Sequence, residues 1–426
     1  MTAQDPTRAA ALALLGGVLG QGRMLSDLLA EPDGALDGLN GPARARAQRL
    51  ALATLRHLEP VDRLLDTHLR KNPPLEVRNV LRLAAVEMLV EGAAAHAAVN
   101  AAVAGLKSNG RTAGMAGLAN AVLRKVAGEA ATFAALPVQK LPMALRQPLV
   151  HAWGRPAVAG IEAVQALPPP LDLTVKVAAE AEAWAAALGA ERLPTDSLRL
   201  SHAGQISALP GFAEGAWWVQ DAAAALPVRL LAPQRGERVA DLCAAPGGKT
   251  LQLAAVGAAV TAVDVSEARM VRLRENLARC GLAAEVVAAD ALSWTPAAPF
   301  DAILLDAPCS ATGTIRRHPD LPFVKTGAEI AQLVALQARL IDRALSLLRP
   351  GGRLVFCTCS LLPAEGEGQL AAALARHPGL ILDDILPPGV PEAWRAPAGG
   401  LRTRPDHWAE RGGIDGFFMA ALRRPT

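Results

Sequence analysis

Residues 238–250 read Arg-Val-Ala-Asp-Leu-Cys-Ala-Ala-Pro-Gly-Gly-Lys-Thr, an apolar run that passes into a turn of small residues. The run from Arg238 to Leu242 is typical of a buried strand in a parallel sheet. The small residues after it favour a tight turn that opens a helix from Thr250. This stretch therefore predicts the first strand and helix of an α/β domain, with a cofactor loop between them.

Alternating strand and helix patterns continue to the end of the chain. They predict strands at 259–263, 285–289, 300–305 and 354–356 and helices at 267–280 and 329–348. Asp264, Asp290 and Asp306 each follow one of these strands, and ligands of such sheets bind at the carboxyl ends of the strands. We therefore expect residues 216–426 to form a Rossmann-like α/β domain with an acidic, ligand-binding edge.

The loop after the first strand distinguishes between cofactors. It lacks the Gly-x-Gly-x-x-Gly pattern of dinucleotide sites and the first glycine of a P-loop. S-adenosylmethionine carries no phosphate and fits better, with Asp264 accepting the ribose hydroxyls and Asp290 near the adenine amino group. The loop residues expected to contact this cofactor, together with Asp306, are Cys243, Ala244, Ala245, Pro246, Gly247, Gly248 and Lys249.

Two cysteines stand just after predicted strands, Cys309 in Asp-Ala-Pro-Cys-Ser and Cys359 in Thr-Cys-Ser. Both sulfurs would open into one crevice at the sheet edge. Carbon-5 of a pyrimidine is a poor nucleophile, but a thiolate that adds to carbon-6 activates it towards the sulfonium methyl group. A second acid–base group would assist release of the enzyme, and Asp306 is placed to hydrogen-bond the cytosine ring. This chemistry does not decide which sulfur attacks.

Composition sets limits on the class of protein. The chain has 426 residues, of which 51% are hydrophobic, and no stretch has the length of a membrane span. Residues 1–6 lack the layout of a signal peptide, so we expect a cytoplasmic protein. The five cysteines form neither a disulfide framework nor a zinc-binding pattern. We read Cys243, Cys280 and Cys357 as structural.

Charge and periodicity divide the chain further. Residues 1–140 carry 16 Lys and Arg against 12 Asp and Glu, which weakly favours a polyanionic partner there. Residues 1–135 predict a helix bundle, and residues 136–215 predict a linker with a small α+β insert. Helical spacing predicts the bundle's helices at 9–19, 44–58, 61–69, 76–90, 97–106 and 118–126.

Aromatic content is only 3%, so we expect Trp217 and Trp218 to lie in the core rather than to stack on RNA bases.

The motifs at 241–250, 305–313, 316–320 and 358–360 resemble the Nol/Nop/Sun family of RNA cytosine carbon-5 methyltransferases. Segments 78–87, 97–103 and 118–125 resemble the NusB-like RNA-binding domain. The family resemblance implies that Cys359 is the nucleophile and that Cys309 assists release. We also expect the turn of Arg316, Arg317 and His318 to contact RNA phosphates.

Together the two resemblances imply a methyltransferase that acts on 16S rRNA, which we expect to be a monomer without membrane association and without a metal ion. Two alternatives stay open. The same chemistry could act on tRNA or 23S rRNA, or the chain could be an RNA-binding assembly factor without catalytic activity.

Overall fold

The structure is a computed structural model that describes residues 5–201 and 204–426. Residues 1–4, which entered the signal-peptide argument, lie outside the described residues. The chain divides into two compact units. The first comprises the described residues up to Gln147 with 165–167 and 315–326, and the second comprises 148–164, 168–314 and 327–426.

The first unit is helical, and its helices bury apolar residues at helical spacing. Ala51, Leu55, Leu81 and Leu123 have no accessible surface, which places them in the cores of the bundle. Each of the six predicted helices overlaps an observed one, so the predicted bundle is confirmed. The observed helices are α1 (Pro6–Gln21), α2 (Leu25–Ala30), α3 (Gly41–Arg56), α4 (Leu58–Asp66), α5 (Leu75–Leu89), α6 (Ala95–Ser108), α7 (Ala116–Val126) and α8 (Ala130–Ala134).

A helix and a small sheet follow. Helix α9 (Met143–Gln165) is kinked at Gly154, whose φ of 80° lies in the left-handed region. Four antiparallel strands, β1 (Leu171–Val175), β2 (Glu191–Arg192), β3 (Leu198–Leu200) and β4 (Trp217–Val219), form a sheet in the order β2-β3-β1-β4, with α10 (Ala181–Leu188) between β1 and β2. Trp217 is fully buried and Trp218 is 2% exposed, so the prediction that both lie in the core is confirmed.

The second unit is built on a mixed eight-stranded sheet. Five of its strands are parallel, in the order β9-β8-β5-β6-β7, as the predicted Rossmann-like domain requires. The elements are α11 (Ala222–Leu231), β5 (Arg238–Leu242), α12 (Gly248–Ala255), β6 (Ala259–Asp264), α13 (Glu267–Cys280), β7 (Glu285–Ala288), β8 (Phe300–Asp306), α14 (Leu321–Val324), α15 (Ile330–Leu347), β9 (Leu348–Thr358), α16 (Glu367–Arg376), β10 (Ile381–Asp383), β11 (Leu401–Arg402) and β12 (Phe418–Arg423). Of these, α14 belongs to the first unit.

The strands that the sequence did not predict close the sheet on one side. β12 lies antiparallel between β9 and β10, and β11 pairs with β12. Helices cover the parallel strands, whose central residues such as Ile303, Leu304 and Val355 have no accessible surface. Among the described residues, no helix is both long and apolar enough to cross a membrane.

Candidate active site

The loop between β5 and α12 is tightly folded. Cys243 has a φ of 62° and Gly247 a φ of 105°, both in the left-handed region. A Cβ atom at Gly247 would lie 2.8 Å from Cγ of Leu273, so glycine is required there for close packing as well as for conformation. The loop brings its backbone amides to the carboxyl end of β5, where the sequence predicted the cofactor.

Asp264 is the last residue of β6, and its side chain hydrogen-bonds to the backbone of this loop. Its Oδ2 accepts a hydrogen bond from the backbone N–H of Ala245 at 3.1 Å, and its Oδ1 accepts one from Ser266 at 2.9 Å. The residue is only 3% exposed. Each carboxylate oxygen has a second lone pair, so Asp264 can support the loop and still accept a ligand hydroxyl.

Asp290 follows β7, the neighbour of β6 in the sheet. It is exposed, and its Oδ1 accepts a hydrogen bond from the backbone N–H of Leu292 at 2.9 Å. Val265, directly after Asp264, exposes 75% of its surface. The edge next to the loop therefore offers two acids and one apolar side chain, and sequence reasoning missed Val265.

Lys249 and Asp306 form an ion pair that the sequence did not predict. Lys249 Nζ lies 2.7 Å from Asp306 Oδ2 and 5.2 Å from the centroid of the Phe417 ring. Burial alone would lower the pKa of Lys249, but the carboxylate of Asp306 outweighs burial, and the pKa lies above its ordinary value. Lys249 is therefore a permanent cation beside Asp306, between the cofactor loop and the end of β8.

The two strand-end cysteines lie together. β8 and β9 pair in parallel up to Asp306 and Cys357, and just beyond this point the sulfurs of Cys309 and Cys359 are 3.4 Å apart. Both residues are partly exposed. This distance confirms that the two sulfurs lie together at the same edge of the sheet.

Cys309 holds its proton firmly. Its pKa lies well above the ordinary value because of its hydrogen bond with Cys359, because it is buried, and because negative charge at Cys359 and Glu365 opposes its ionisation. A thiol with a raised pKa stays protonated at neutral pH and is a poor nucleophile in that form.

The other cysteines are placed as inert thiols. Cys357 has no accessible surface and lies with its sulfur 3.5 Å from Asp306 Oδ1, and burial raises its pKa well above the ordinary value. Burial raises the pKa of Cys243 to about 12 and also raises that of Cys280, the last residue of α13. No group of His, Cys, Asp or Glu in the described part of the chain has an arrangement that could hold a metal ion.

The predicted RNA contacts at 316–318 have mixed outcomes. Arg316 is fully buried, and its carbonyl oxygen accepts a hydrogen bond from Arg56 Nη2 at 2.6 Å. A side chain without accessible surface cannot reach a phosphate, so the structure contradicts this contact for Arg316. Arg317 is half-buried and His318 is exposed. For these two, phosphate contact stays a prediction.

Two known protein families match this chain, one in the helix bundle and one in the α/β domain. The family described as "16S rRNA methyltransferase RsmB/F" matches residues 228–423, and the "NusB family" matches residues 5–128. The chain is 36% identical to the ribosomal RNA small subunit methyltransferase B of Salmonella arizonae over 99% of both chains. It is 46% identical to the protein of the same description from Klebsiella pneumoniae over 53% of this chain and 51% of that protein.

Solved structures show the same architecture. The crystal structure of PH0851 superposes with a TM-score of 0.72 at 23% identity, covering 100% of this chain and 99% of that one, which supports the fold alone. A methyltransferase homologue from Pyrococcus horikoshii is 30% identical, with a TM-score of 0.55 over 65% of this chain and 93% of that one. With full-length similarity above 30% identity, the chain belongs to the family of ribosomal RNA small subunit methyltransferase B.

Proposed function

We propose that this protein transfers a methyl group from S-adenosylmethionine to carbon-5 of a cytosine in 16S rRNA through a covalent cysteine adduct. The observation that carries the proposal is the pair of sulfurs 3.4 Å apart at the ends of adjacent parallel strands. Nucleophilic addition needs one thiol, and release of the adduct gains from a second proton-transferring group. The description of the curated relatives supports 16S rRNA as the substrate.

The residues at the sheet edge suit S-adenosylmethionine. The backbone of the loop at 243–248 and the free lone pairs of Asp264 would hold the amino-acid and ribose parts, and Asp290 and Val265 would border the adenine. The loop lacks the Gly-x-Gly-x-x-Gly pattern that brings backbone amides against a pyrophosphate, in keeping with a cofactor that has none. When bound, the cofactor supplies an electrophilic methyl group.

The protein's own groups would prepare the base. The Cys359 thiolate forms a bond to carbon-6 and shifts the ring's double-bond electrons to carbon-5, which then takes up the methyl group. The Asp306 carboxylate would accept a hydrogen bond from the exocyclic amine and so orient the ring. The ammonium group of Lys249, 2.7 Å from Asp306, would offset the negative charge that addition of the thiolate places on the ring.

Release then uses the second thiol. Loss of the carbon-5 proton restores the double bond and breaks the bond from carbon-6 to the Cys359 sulfur. Cys309, whose sulfur lies 3.4 Å from that of Cys359, would give its proton to the departing thiolate. The Cys309 thiolate formed in this way is then the base that takes the proton from carbon-5, so the protons of the step balance.

The test uses the full chain, tritium-labelled S-adenosylmethionine and small-subunit rRNA from a strain that lacks the enzyme. Cys359→Ala should abolish transfer and form no adduct, since it lacks the attacking sulfur. Cys309→Ala should form the adduct but release it slowly, so a protein–RNA complex should survive denaturing electrophoresis.

The opposite pattern would exchange the roles of the two sulfurs. Tritium found only in tRNA or only in 23S rRNA would show that this RNA, and not 16S rRNA, is the substrate. The proposed methyl-transfer mechanism would be unaffected. Absence of transfer by the unmodified protein on all three RNAs would favour an assembly factor without catalytic activity. Bisulfite sequencing of the labelled RNA would test the carbon-5 position.

A further inference from the structure

A buried carboxylate links the two cysteine loops. Glu365 lies in the turn after β9 and has no accessible surface. Its Oε1 accepts hydrogen bonds from the Ser310 N–H at 2.9 Å and from Gln337 Nε2 at 3.0 Å. Its Oε2 accepts from the hydroxyls of Ser310 at 2.5 Å and Ser360 at 2.6 Å.

The two serine partners are the immediate sequence neighbours of the two thiols. Ser310 follows Cys309 and Ser360 follows Cys359. The Glu365 carboxylate therefore hydrogen-bonds to both loops directly beside the two sulfurs. The β8–β9 pairing ends before either cysteine, at Asp306 and Cys357. Beyond the last pair, the loops therefore need other bonds to fix their separation.

The surrounding contacts allow little slack. The Gly313 N–H donates to the Cys359 carbonyl at 2.9 Å, and a Cβ atom at Gly313 would collide with the backbone of Gly416. The hydroxyls of Ser310 and Ser360 are 3.1 Å apart, and Gln337 also donates to the carbonyl of Pro308 at 2.9 Å. The whole network packs the Cys309 loop directly onto the Cys359 loop.

Burial of a carboxylate is costly unless its oxygens are fully hydrogen-bonded. Glu365 meets this condition with two hydroxyls, one backbone amide and one side-chain amide. An apolar side chain would fill the same volume without that cost, but it would leave the serines next to both thiols without this common acceptor. The arrangement is therefore better explained by alignment of the loops than by stability alone.

We propose that Glu365 is a positioning residue that holds Cys309 and Cys359 at contact distance for addition and release. The inference rests on the proposed methyl transfer. Reactions of aligned groups are sensitive to small displacements, and a shift of about 1 Å can cost about 100-fold in rate.

The main variants are Glu365→Ala and Glu365→Gln. Glu365→Ala should lower the single-turnover rate of methyl transfer by about 100-fold while affinity for S-adenosylhomocysteine stays unchanged, because the cofactor loop is not touched. Glu365→Gln should restore most of the rate. Its amide oxygen can accept from Ser310 N–H and Gln337, and its amide nitrogen can donate to the two serine hydroxyls, which rotate to accept.

An activity-independent readout measures the thiol pair itself. Phenylarsine oxide bridges two neighbouring thiols, forming two arsenic–sulfur bonds and releasing one water. Peptide mass spectrometry should find Cys309 and Cys359 bridged in the unmodified protein and in Glu365→Gln. Bridging should be much weaker in Glu365→Ala and absent in Cys359→Ala.

Matched controls separate positioning from general stability. Asp172 is equally buried and is paired with Arg199 in the small sheet, so Asp172→Asn should lower stability without changing the bridging of the thiols. If Glu365→Ala does not fold, Ser360→Ala removes one bond to the carboxylate and should still lower the rate about tenfold.

Unchanged transfer and bridging in folded Glu365→Ala, or in Ser360→Ala where Glu365→Ala does not fold, would overturn the inference. Loss of rate in parallel with cofactor binding and folding, without rescue by glutamine, would also overturn it. Bridging that depends on Glu365 in a protein without transfer activity would keep the positioning role and remove the proposed function.

Discussion

The replacement Asp264→Ala tests the cofactor edge most directly, but the structure shows that it has two effects. The carboxylate supports the loop through the backbone N–H groups of Ala245 and Ser266, at 3.1 and 2.9 Å. A hydrogen bond to a charged group contributes about 1.5–3 kcal/mol, so the two bonds together contribute roughly 3–6 kcal/mol to loop stability. A proposed ribose contact of the same kind would change the dissociation constant about 10- to 150-fold. A fall in affinity alone therefore cannot separate the two roles.

A ligand modified at the ribose separates them. Calorimetry would measure S-adenosylhomocysteine and its 2′,3′-dideoxy analogue against the unmodified protein and Asp264→Ala, with denaturant unfolding run in parallel. The unmodified protein should bind the dideoxy analogue at least about 10-fold more weakly, because the analogue lacks both hydroxyls that would hydrogen-bond the charged carboxylate. Asp264→Ala should bind both ligands equally weakly, because no acceptor for the hydroxyls remains. The contrary result is that Asp264→Ala binds S-adenosylhomocysteine more tightly than the dideoxy analogue by the same factor as the unmodified protein does. In that case Asp264 only supports the loop, and another residue binds the ribose hydroxyls.

Three shorter predictions concern individual ionisable residues. Burial raises the pKa of Asp241 to about 7, so the folded state binds this proton more tightly than the unfolded state does. The protonated carboxyl therefore adds to the free energy of unfolding at low pH, and this contribution is lost as the pH rises from about 4 to 7. Asp241→Asn should therefore be more stable than the unmodified protein above pH 7, by on the order of 4 kcal/mol, and lose this advantage near pH 4, as measured by unfolding at several pH values. Lys249→Met should lower the rate of methyl transfer about 100-fold while the thiols of Cys309 and Cys359 stay reactive towards alkylation. Arg317→Ala should lower the salt dependence of RNA binding by about one phosphate contact, whereas the buried Arg316→Ala should lower the melting temperature instead.

Strand patterns predicted most of the catalytic unit because its parallel strands are short apolar runs followed by polar residues. This pattern placed Asp264, Cys309 and Cys359 at strand ends, and the structure confirms these positions and the contact of the two sulfurs. Parallel neighbours share one edge, so the position of a residue at a strand end is enough to predict which edge it occupies. The helix bundle was predictable for a similar reason, since its apolar residues recur at helical spacing.

Pairs distant in sequence were not predictable from local patterns. Lys249 and Asp306 are 57 residues apart, and nothing near either residue indicates that they form an ion pair. Glu365 follows a proline-containing turn and looks like a solvated acid until Ser310 and Ser360 are placed around it. The one available signal was that both cysteines are followed by serine. Arg316 was misassigned because a basic turn is normally exposed, whereas here the chain folds it into the interior.

The sulfurs of Cys309 and Cys359 are close enough for the protonation of one thiol to affect that of the other. Two equivalent thiols in contact would compete for one proton, and ionisation of either one would suppress ionisation of the other. The hydrogen bond to Cys359, burial and nearby negative charge raise the pKa of Cys309 and favour its neutral form. In the proposed mechanism a single proton serves both steps: it stays on Cys309 while Cys359 attacks, and it moves to Cys359 when that sulfur leaves. On this reasoning Glu365, which aligns both loops and adds negative charge beside Cys309, supports the division of labour through geometry and electrostatics together.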